Sequence, residues 1–369
     1  MSVRIGELTL KNPIMIGAGP WARDAESIKK CIATGASAVI TETITLGQAT
    51  AYNPCFYSQG NNIFNIKLFS SMQLEQWEES IASISKEGCA IIASIWASSP
   101  SELAYLAKKV EIIGFDAIEI SLSSPIGSRN KSFSERPSGA FEYVSRVIKE
   151  VNIPVIVKLS YEYSNHGFLI ENLEKAGVTT VSAIDGLRGL IDINIEDATT
   201  KMPAFGGYTG EAIRPVSLAA TAMLTQNTTF EIIGIGGISS YEHVIEYLML
   251  GAEAIQIASL IMLNGYDAVS DVIKGYTKWM ESHGYTSTSD IRGTALSGLS
   301  SFEDLRSRSM KVKIGAPCVK GCISCIDSCL YQTLSKSADG TIVLNDSNCI
   351  GCGLCVERCP DKILYLDYI

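Results

Sequence analysis

The sequence predicts an α/β fold, a closed (β/α)8 TIM barrel followed by a small cysteine-rich domain. Eight short apolar runs, rich in β-branched residues, recur between segments with helical periodicity. The runs lack polar alternation, as expected for strands that a parallel sheet buries on both faces. In addition, eight of the 11 cysteines lie at or after position 318. The eight runs are Pro13–Ala18, Ala38–Thr41, Ala90–Ile95, Ala117–Leu122, Pro154–Leu159, Thr180–Ile184, Glu231–Ile235 and Ala254–Ala258.

The number of strands and the length of the chain set the domain organisation. Eight strand–helix units fit one closed barrel, a fold that typically takes about 250 residues. An open doubly wound sheet is the alternative, and the strand count argues against it. We therefore predict a barrel over residues 1–300, a linker over 301–313 and a C-terminal domain over 314–369.

Charge and hydropathy argue against two classes of partner. The net charge is −9 and the basic residues are scattered, which is not the pattern of a nucleic-acid surface. The most apolar stretch, Val244–Leu263, is interrupted by Glu246 and Glu253, groups that a membrane span would resist. The first residues lack a charged-then-apolar leader. We expect a cytoplasmic protein with no nucleic-acid or membrane partner.

Small and polar residues follow the predicted strands, where barrels place their chemistry. Gly236 and Gly237 lie between a strand and a helix, so that backbone N–H groups can approach a phosphate. Ala258 and Ser259 repeat this arrangement after the eighth strand, and these two loops are a frequent phosphate site in barrels. A tight turn is the alternative for each loop alone. The other candidate residues at strand ends are Ala18, Gly19, Glu42, Thr43, Ser121, Ser124, Lys158 and Asp185.

The second cysteine run has the spacing of bacterial ferredoxins. It reads Cys349-x2-Cys352-x2-Cys355-x3-Cys359 and continues with Pro360. In that pattern three cysteines bind one 4Fe–4S cluster and the fourth reaches a second cluster. Four-cysteine zinc sites also use x2 spacings, but they do not need the interleaved fourth cysteine followed by proline.

The first cysteine run, which starts at Cys318, departs slightly from that pattern. Its opening gap is one residue longer, and Leu330 replaces the usual proline. We still predict two 4Fe–4S clusters and a two-cluster ferredoxin domain. Cys318, Cys322, Cys325 and Cys359 would hold one cluster, and Cys349, Cys352, Cys355 and Cys329 the other.

Several segments of the barrel resemble the dihydroorotate dehydrogenase family, and they are most similar to the FMN and iron–sulfur half of dihydropyrimidine dehydrogenase. The resemblance implies an FMN barrel with the phosphate near Gly210, Gly236 and Gly237, and Lys158 beside the isoalloxazine. Ala258 and Ser259 would complete the phosphate site. The segments are AIEISLSSPIG, VIVKLS, AFGGYTGEAIRPVSL, IIGIGGISS and YLMLGAEAIQIASLI.

The substrate side departs from the family pattern. Glu42 stands where the family has a lysine, and Ser124 stands where it has the proton-transfer cysteine. Ser121 and Asp185 replace asparagines that hold the substrate, whereas Asn65 is retained. An amide pairs with both donors and acceptors of a pyrimidine ring, and neither serine nor aspartate reproduces that pairing. We therefore expect a substrate other than uracil or dihydroorotate.

Glu42 and Lys67 allow two interpretations. The pyrimidine-reducing relatives carry an acid at the position of Lys67, so both signs are inverted here. In the first interpretation, Glu42 and Lys67 pair with each other and hold a loop. In the second, Glu42 and Asp185 form an acidic pocket for a substrate with N–H or cationic groups, since charged groups in a cleft are one mark of a functional site.

The resulting functional hypothesis is a flavin-dependent reductase. Electrons from the clusters would reduce FMN, which passes hydride to a C=C or C=N bond of a small cyclic substrate. Ser124, helped by Ser121 and Asn65, would transfer the proton; Tyr52 or Glu42 is the alternative acid. Two alternatives are a dihydropyrimidine or dihydroorotate dehydrogenase with an unusual pocket, and an electron-transfer subunit without its own substrate.

No nicotinamide-binding fingerprint lies between a strand and a helix. We therefore expect an NAD(P)H-oxidising flavoprotein subunit, or a soluble ferredoxin, as the electron donor. The resemblance also implies a homodimer.

Overall fold

A computed structural model of the chain describes residues 1–47, 52–122, 137–306, 308–318 and 322–368. By its internal contacts the chain divides into two compact units, Met1–Gly298 and Leu299–Ile369. Within the described ranges, no helix combines the length and the hydropathy needed to cross a bilayer.

The first unit is a closed barrel of eight strands, as the sequence predicts. Every neighbouring pair is parallel, and the eighth strand pairs with the first to close the barrel. The strands follow one another around the barrel in chain order. Their bounds are Ile14–Ile16, Ala38–Ile40, Ala90–Ile95, Ala117–Ser121, Val155–Leu159, Thr180–Ala183, Glu231–Ile235 and Ala254–Ile257.

Amphipathic helices cover the outside of the barrel. The first begins after Asp24, whose carboxylate accepts a hydrogen bond from the Ser27 N–H in a capping box. Its buried residues include Ile28 and Ile32, one helical turn apart. The longer helices are Ala25–Ala33, Leu74–Ala82, Pro100–Ile113, Pro137–Glu150, Gly167–Lys175, Arg214–Asn227, Tyr241–Met249 and Asp267–Ser282. The short helices are Tyr161–Ser164 and Ser259–Asn264, with 3-10 turns at Pro20–Ala22, Glu211–Ile213, Thr288–Asp290 and Leu296–Gly298.

One end of the barrel is closed by the N-terminal hairpin, Val3–Ile5 with Leu8–Leu10. Its side chains pack with Ala38, Ala117 and Ala254, which are the first residues of their strands. The hairpin therefore covers the end of the barrel where the strands start, and the functional site has to form at the opposite end.

An antiparallel sheet that the sequence analysis did not anticipate lies in the loops after the second and sixth barrel strands. It pairs chain segments about 140 residues apart, with Asn65 opposite Gly207. The order of its strands is Leu187–Gly189, Gly206–Gly210, Asn62–Asn65 and Phe56–Gln59. A two-residue ladder, Ile193–Asn194 with Thr199–Thr200, extends the same loop.

In its described residues, the second unit contains two small antiparallel sheets and two short helices. Met310–Ile314 pairs with Leu364–Tyr368, and Leu334–Lys336 pairs with Ile342–Leu344. The helices are Ser324–Asp327 and Leu354–Glu357, with 3-10 turns at Phe302–Asp304 and Asp346–Asn348. Part of the segment predicted as a linker, 301–313, is therefore a strand of this unit, because its backbone pairs with the C-terminal strand.

Candidate functional site

A cavity of about 510 Å³ opens at the end of the barrel where the strands finish. Within the described residues, all the barrel positions singled out from the sequence line it. They are Ala18, Gly19, Glu42, Thr43, Asn65, Lys67, Ser121, Lys158, Asp185, Gly210, Gly236, Gly237, Ala258 and Ser259. Ser124 lies outside the described residues. The lining also includes Tyr52 and three further aromatic residues, Trp21, Phe56 and Phe205.

The loop after the seventh strand leaves no room for side chains. Gly236 and Gly237 have φ angles of 135° and 69°, a region that favours glycine. A Cβ atom on Gly237 would lie 2.7 Å from the Cβ of Arg214 and 2.9 Å from the carbonyl oxygen of Gly210. The Tyr247 hydroxyl donates a hydrogen bond to the Gly236 carbonyl at 2.6 Å, which connects the loop to the helix that follows it. This is a rigid backbone cradle, the kind of surface that binds a phosphate.

Glu42 and Lys67 form an ion pair at the cavity wall, with 3.0 Å between Oε1 and Nζ. The Glu42 residue is only 5% exposed. Burial raises the pKa of Glu42, and the Lys67 ammonium partly counteracts this. The geometry supports the first interpretation, in which the two residues hold each other.

The remaining polar residues, Ser121, Asp185 and Asn65, line the same cavity as the pair. Ser121 is buried at the end of the fourth strand, directly opposite Lys158 in the register of the neighbouring strand. The Asp185 carboxylate accepts a hydrogen bond from the Gly186 N–H at 3.0 Å. Asn65, on the antiparallel sheet, donates its amide to the Gly207 carbonyl at 3.5 Å. This sheet therefore places Asn65 and Lys67 beside the strand ends.

Lys158 stands over a buried carboxylate that the sequence analysis missed. Its Nζ lies 3.4 Å from Oε1 of Glu119, and both side chains are almost fully buried. Desolvation lowers the pKa of Lys158, but Glu119 and then Asp185 outweigh it, so that the pKa lies above its ordinary value. In the sequence, the only indication of this carboxylate is that Glu119 is a charged residue inside the apolar run Ala117–Leu122.

In the second unit, two sets of cysteines lie together. Cys318, Cys322, Cys325 and Cys359 line one small cavity next to Pro360. Within the described residues, no three cysteine, histidine or carboxylate side chains converge on a single metal ion. The four cysteines nevertheless line one cavity, and cysteine thiolates are the ligands that a 4Fe–4S cluster requires.

The second set is built around Cys355. Its thiol is close enough to Cys329 and Cys352 for both to raise its pKa, after desolvation. The Thr333 N–H donates to Cys329 Sγ at 3.4 Å, and hydrogen bonds from Thr333 lower the pKa of Cys329 against the effect of burial. The N–H of Val312 donates to Cys349 Sγ at 3.5 Å. Donors of this kind stabilise thiolate ligands.

Comparison with known proteins identifies the barrel. A family model described as dihydroorotate dehydrogenase matches residues 1–280. The chain belongs to the dihydroorotate dehydrogenase family. Members of this family are flavin-dependent oxidoreductases that act on CH–CH groups, which confirms the class of enzyme expected from the sequence. A second model, described as a 4Fe-4S binding domain, matches residues 342–365 and includes the run from Cys349 to Cys359.

Curated relatives and a solved structure agree with the family. The chain is 29% identical over 301 residues to the catalytic subunit of dihydroorotate dehydrogenase B (NAD(+)) from Pyrococcus abyssi, covering 80% of this chain and 99% of the relative. It is 30% identical over 302 residues to the same subunit from Pyrococcus furiosus, with the same coverage. A dihydroorotate dehydrogenase from Eimeria tenella, solved with ferulenol, shares the fold with a TM-score of 0.67 and 17% identity over 79% of this chain and 88% of its own.

Breaking the Glu42–Lys67 ion pair should make the stability of the protein depend on pH. Lys67→Met leaves the Glu42 carboxylate buried without its cation, so we expect the free energy of unfolding to fall by about 1–3 kcal/mol at pH 8. The loss should be smaller at pH 5, because burial raises the pKa of Glu42 and a protonated carboxyl needs no cation. Urea unfolding at both pH values measures this.

The control is the double variant Glu42→Gln/Lys67→Met, which removes both charges and should lose little stability at either pH. Equal losses for Lys67→Met at pH 5 and pH 8 would show that the ion pair is not the cause.

Proposed function

We propose that this protein is an FMN-dependent oxidoreductase that acts on a small cyclic substrate. It reduces a C=C or C=N bond of that substrate, or oxidises the corresponding CH–CH or CH–NH group. Electrons pass between the flavin and two 4Fe–4S clusters of the C-terminal unit. The observation that carries the proposal is the glycine-walled backbone cradle next to Lys158 at the mouth of the barrel.

The residues at the barrel mouth fit the flavin. The FMN phosphate would lie on Gly236, Gly237 and Ser259, with Gly210 and Ala258 completing the cradle. Lys158 would lie beside the isoalloxazine, with the small residues Ala18, Gly19 and Thr43 along the other strand ends. When bound, FMN supplies hydride chemistry and converts between one-electron and two-electron transfer. A buried ammonium group such as Lys158 favours negative charge on a neighbouring ring.

The first candidate for the substrate is a ring of the dihydroorotate or dihydropyrimidine type. The relatives that support it are named for dihydroorotate, and the match to them extends over the whole barrel. The chain would then be such a dehydrogenase with an altered pocket.

The second candidate is a different unsaturated ring. It is favoured because Ser121 and Asp185 stand where the family has two asparagine amides. It is also favoured because Lys67 already neutralises the Glu42 carboxylate. A pyrimidine would leave polar groups unpaired in this pocket, at a cost of about 1–3 kcal/mol for each. The third hypothesis is an electron-transfer subunit without its own substrate. The cavity of about 510 Å³ argues against it, because such a subunit needs no large cavity.

Ser124 is proposed as the proton-transfer residue, helped by Ser121 and Asn65. A serine hydroxyl is a weak base at neutral pH and requires a hydrogen-bonded partner or a water chain. Tyr52 and Glu42, which line the cavity at the barrel mouth, are the alternative acids.

The ferredoxin unit would hold two clusters with exchanged fourth ligands. The small cavity supports the set with Cys359, and the electrostatic effect of Cys329 on the pKa of Cys355 supports the set with Cys329. A flavoprotein subunit that oxidises NAD(P)H, or a soluble ferredoxin, would supply the electrons. The name of the relatives, a catalytic subunit of an NAD(+) enzyme, is consistent with a separate subunit. The cytoplasmic location and the homodimer stay predictions.

Flavin reoxidation separates the substrate candidates. The protein is reduced anaerobically and mixed with orotate, uracil or thymine, and flavin absorbance is followed. Rapid reoxidation by one of these identifies the dihydropyrimidine type. Reoxidation only by other unsaturated rings identifies the second candidate, and reoxidation by none of them supports the electron-transfer subunit.

The same assay on Ser124→Ala tests the proton role. A rate at least about a hundredfold lower is expected if Ser124 is the general acid or base. An unchanged rate removes Ser124 from the mechanism.

Iron analysis tests the number of clusters. Anaerobically purified protein should contain about eight iron and eight sulfide per chain if two 4Fe–4S clusters are present. About four of each would contradict the second cluster, and zinc in place of iron would contradict both. The variants Cys329→Ser and Cys359→Ser should each disturb one cluster and leave the iron of the other in place.

A further inference from the structure

The interior of the barrel contains a buried polar cluster directly below the cavity. Glu119, on the fourth strand, is its centre and is completely buried. Oε2 of Glu119 accepts hydrogen bonds from Ser182 Oγ at 2.9 Å and from Gln256 Nε2 at 2.6 Å. Oε1 lies 3.4 Å from the ammonium of Lys158. One carboxylate therefore connects the fourth, fifth, sixth and eighth strands.

Two of the three partners of Glu119 line the cavity, namely Lys158 and Gln256, whereas Glu119 itself does not. An ionised carboxylate only accepts hydrogen bonds, so Gln256 has to direct its NH2 group towards Glu119. Among the described residues, none bonds to the amide oxygen of Gln256. The cluster thus holds one cation and contains two buried oxygens without a hydrogen-bond donor among the described residues, Oε1 of Glu119, which faces the Lys158 ammonium, and Oε1 of Gln256.

Burial makes the charge of Lys158 dependent on its partner. A buried ammonium loses its proton easily unless an anion lies next to it. The charged groups that act on Lys158 are Glu119 below it and Asp185 after the sixth strand. Glu119 acts more strongly on Lys158 than Asp185 does, and its fully buried carboxylate lies within ion-pair distance of the ammonium.

We propose that Glu119 is a positioning residue that keeps Lys158 protonated and directed into the cavity, and that it thereby sets the reduction potential of the flavin. Glu119 acts only through Lys158 and Gln256. This inference rests on the proposed FMN site.

The test is the midpoint potential of bound FMN as a function of pH, in holoprotein carrying Glu119→Gln. Without the carboxylate, Lys158 should lose its proton at a lower pH than in the unaltered protein, because only Asp185 then opposes the effect of burial. The potential of the variant should then lie below that of the unaltered protein at high pH, because the reduced flavin loses a neighbouring cation. The difference should shrink as the pH is lowered, since Lys158 regains its proton.

Two controls separate this role from a structural one. Ser182→Ala removes a hydrogen bond to the same carboxylate but keeps its charge, so no new pH-dependent step should appear. In a Lys158→Met background, Glu119→Gln should no longer add a pH-dependent step. If Glu119→Gln does not retain FMN, Glu119→Asp draws the charge back by one methylene and should give a smaller step in the same direction.

Curves for both Glu119 variants that superimpose on the unaltered protein would overturn the inference, as would an equal step in the Lys158→Met background. Either result, obtained with FMN bound, leaves the proposed function intact. Absence of FMN from the unaltered protein would instead contradict the proposed function itself.

Discussion

Closure of eight parallel strands into one barrel is the constraint on which the rest of the molecule depends. Closure brings all eight strand ends to one rim, although these residues are spread along the chain from Ala18 to Ser259. The N-terminal hairpin covers the other end of the barrel. Cradle, ion pair and buried lysine therefore share a single cavity.

The same closure keeps water out of the barrel, and charges inside it have to be compensated by other protein groups. Two carboxylates near the cavity each meet a lysine, Glu42 with Lys67 and Glu119 with Lys158. Electrostatic interactions are stronger in such an interior than in water. The barrel belongs to the dihydroorotate dehydrogenase family, and its mouth combines the glycines Gly236 and Gly237 with the buried Lys158 in one cavity.

The sequence predicted the barrel well because buried parallel strands are continuous apolar runs, which are visible in one chain. The ferredoxin motif was equally visible, because the cysteine spacing reflects cluster geometry. The antiparallel sheet was missed: its strand Gly206–Gly210 is mostly glycine and pairs with residues about 140 positions away. The sequence did not predict the role of Glu119, because its partners Lys158, Ser182 and Gln256 lie on other strands and only the folded barrel brings them together.

The most direct measurement compares the binding of FMN and of riboflavin to flavin-free protein by fluorescence quenching. Both ligands offer the same ring to the barrel mouth, and only FMN offers a phosphate to the backbone cradle. Hydrogen bonds to a charged group contribute about 1.5–3 kcal/mol each, so FMN should bind at least about a hundredfold more tightly. Equal affinities would show that the backbone cradle does not bind the phosphate, and no binding of either flavin would show that the barrel mouth is not a flavin site.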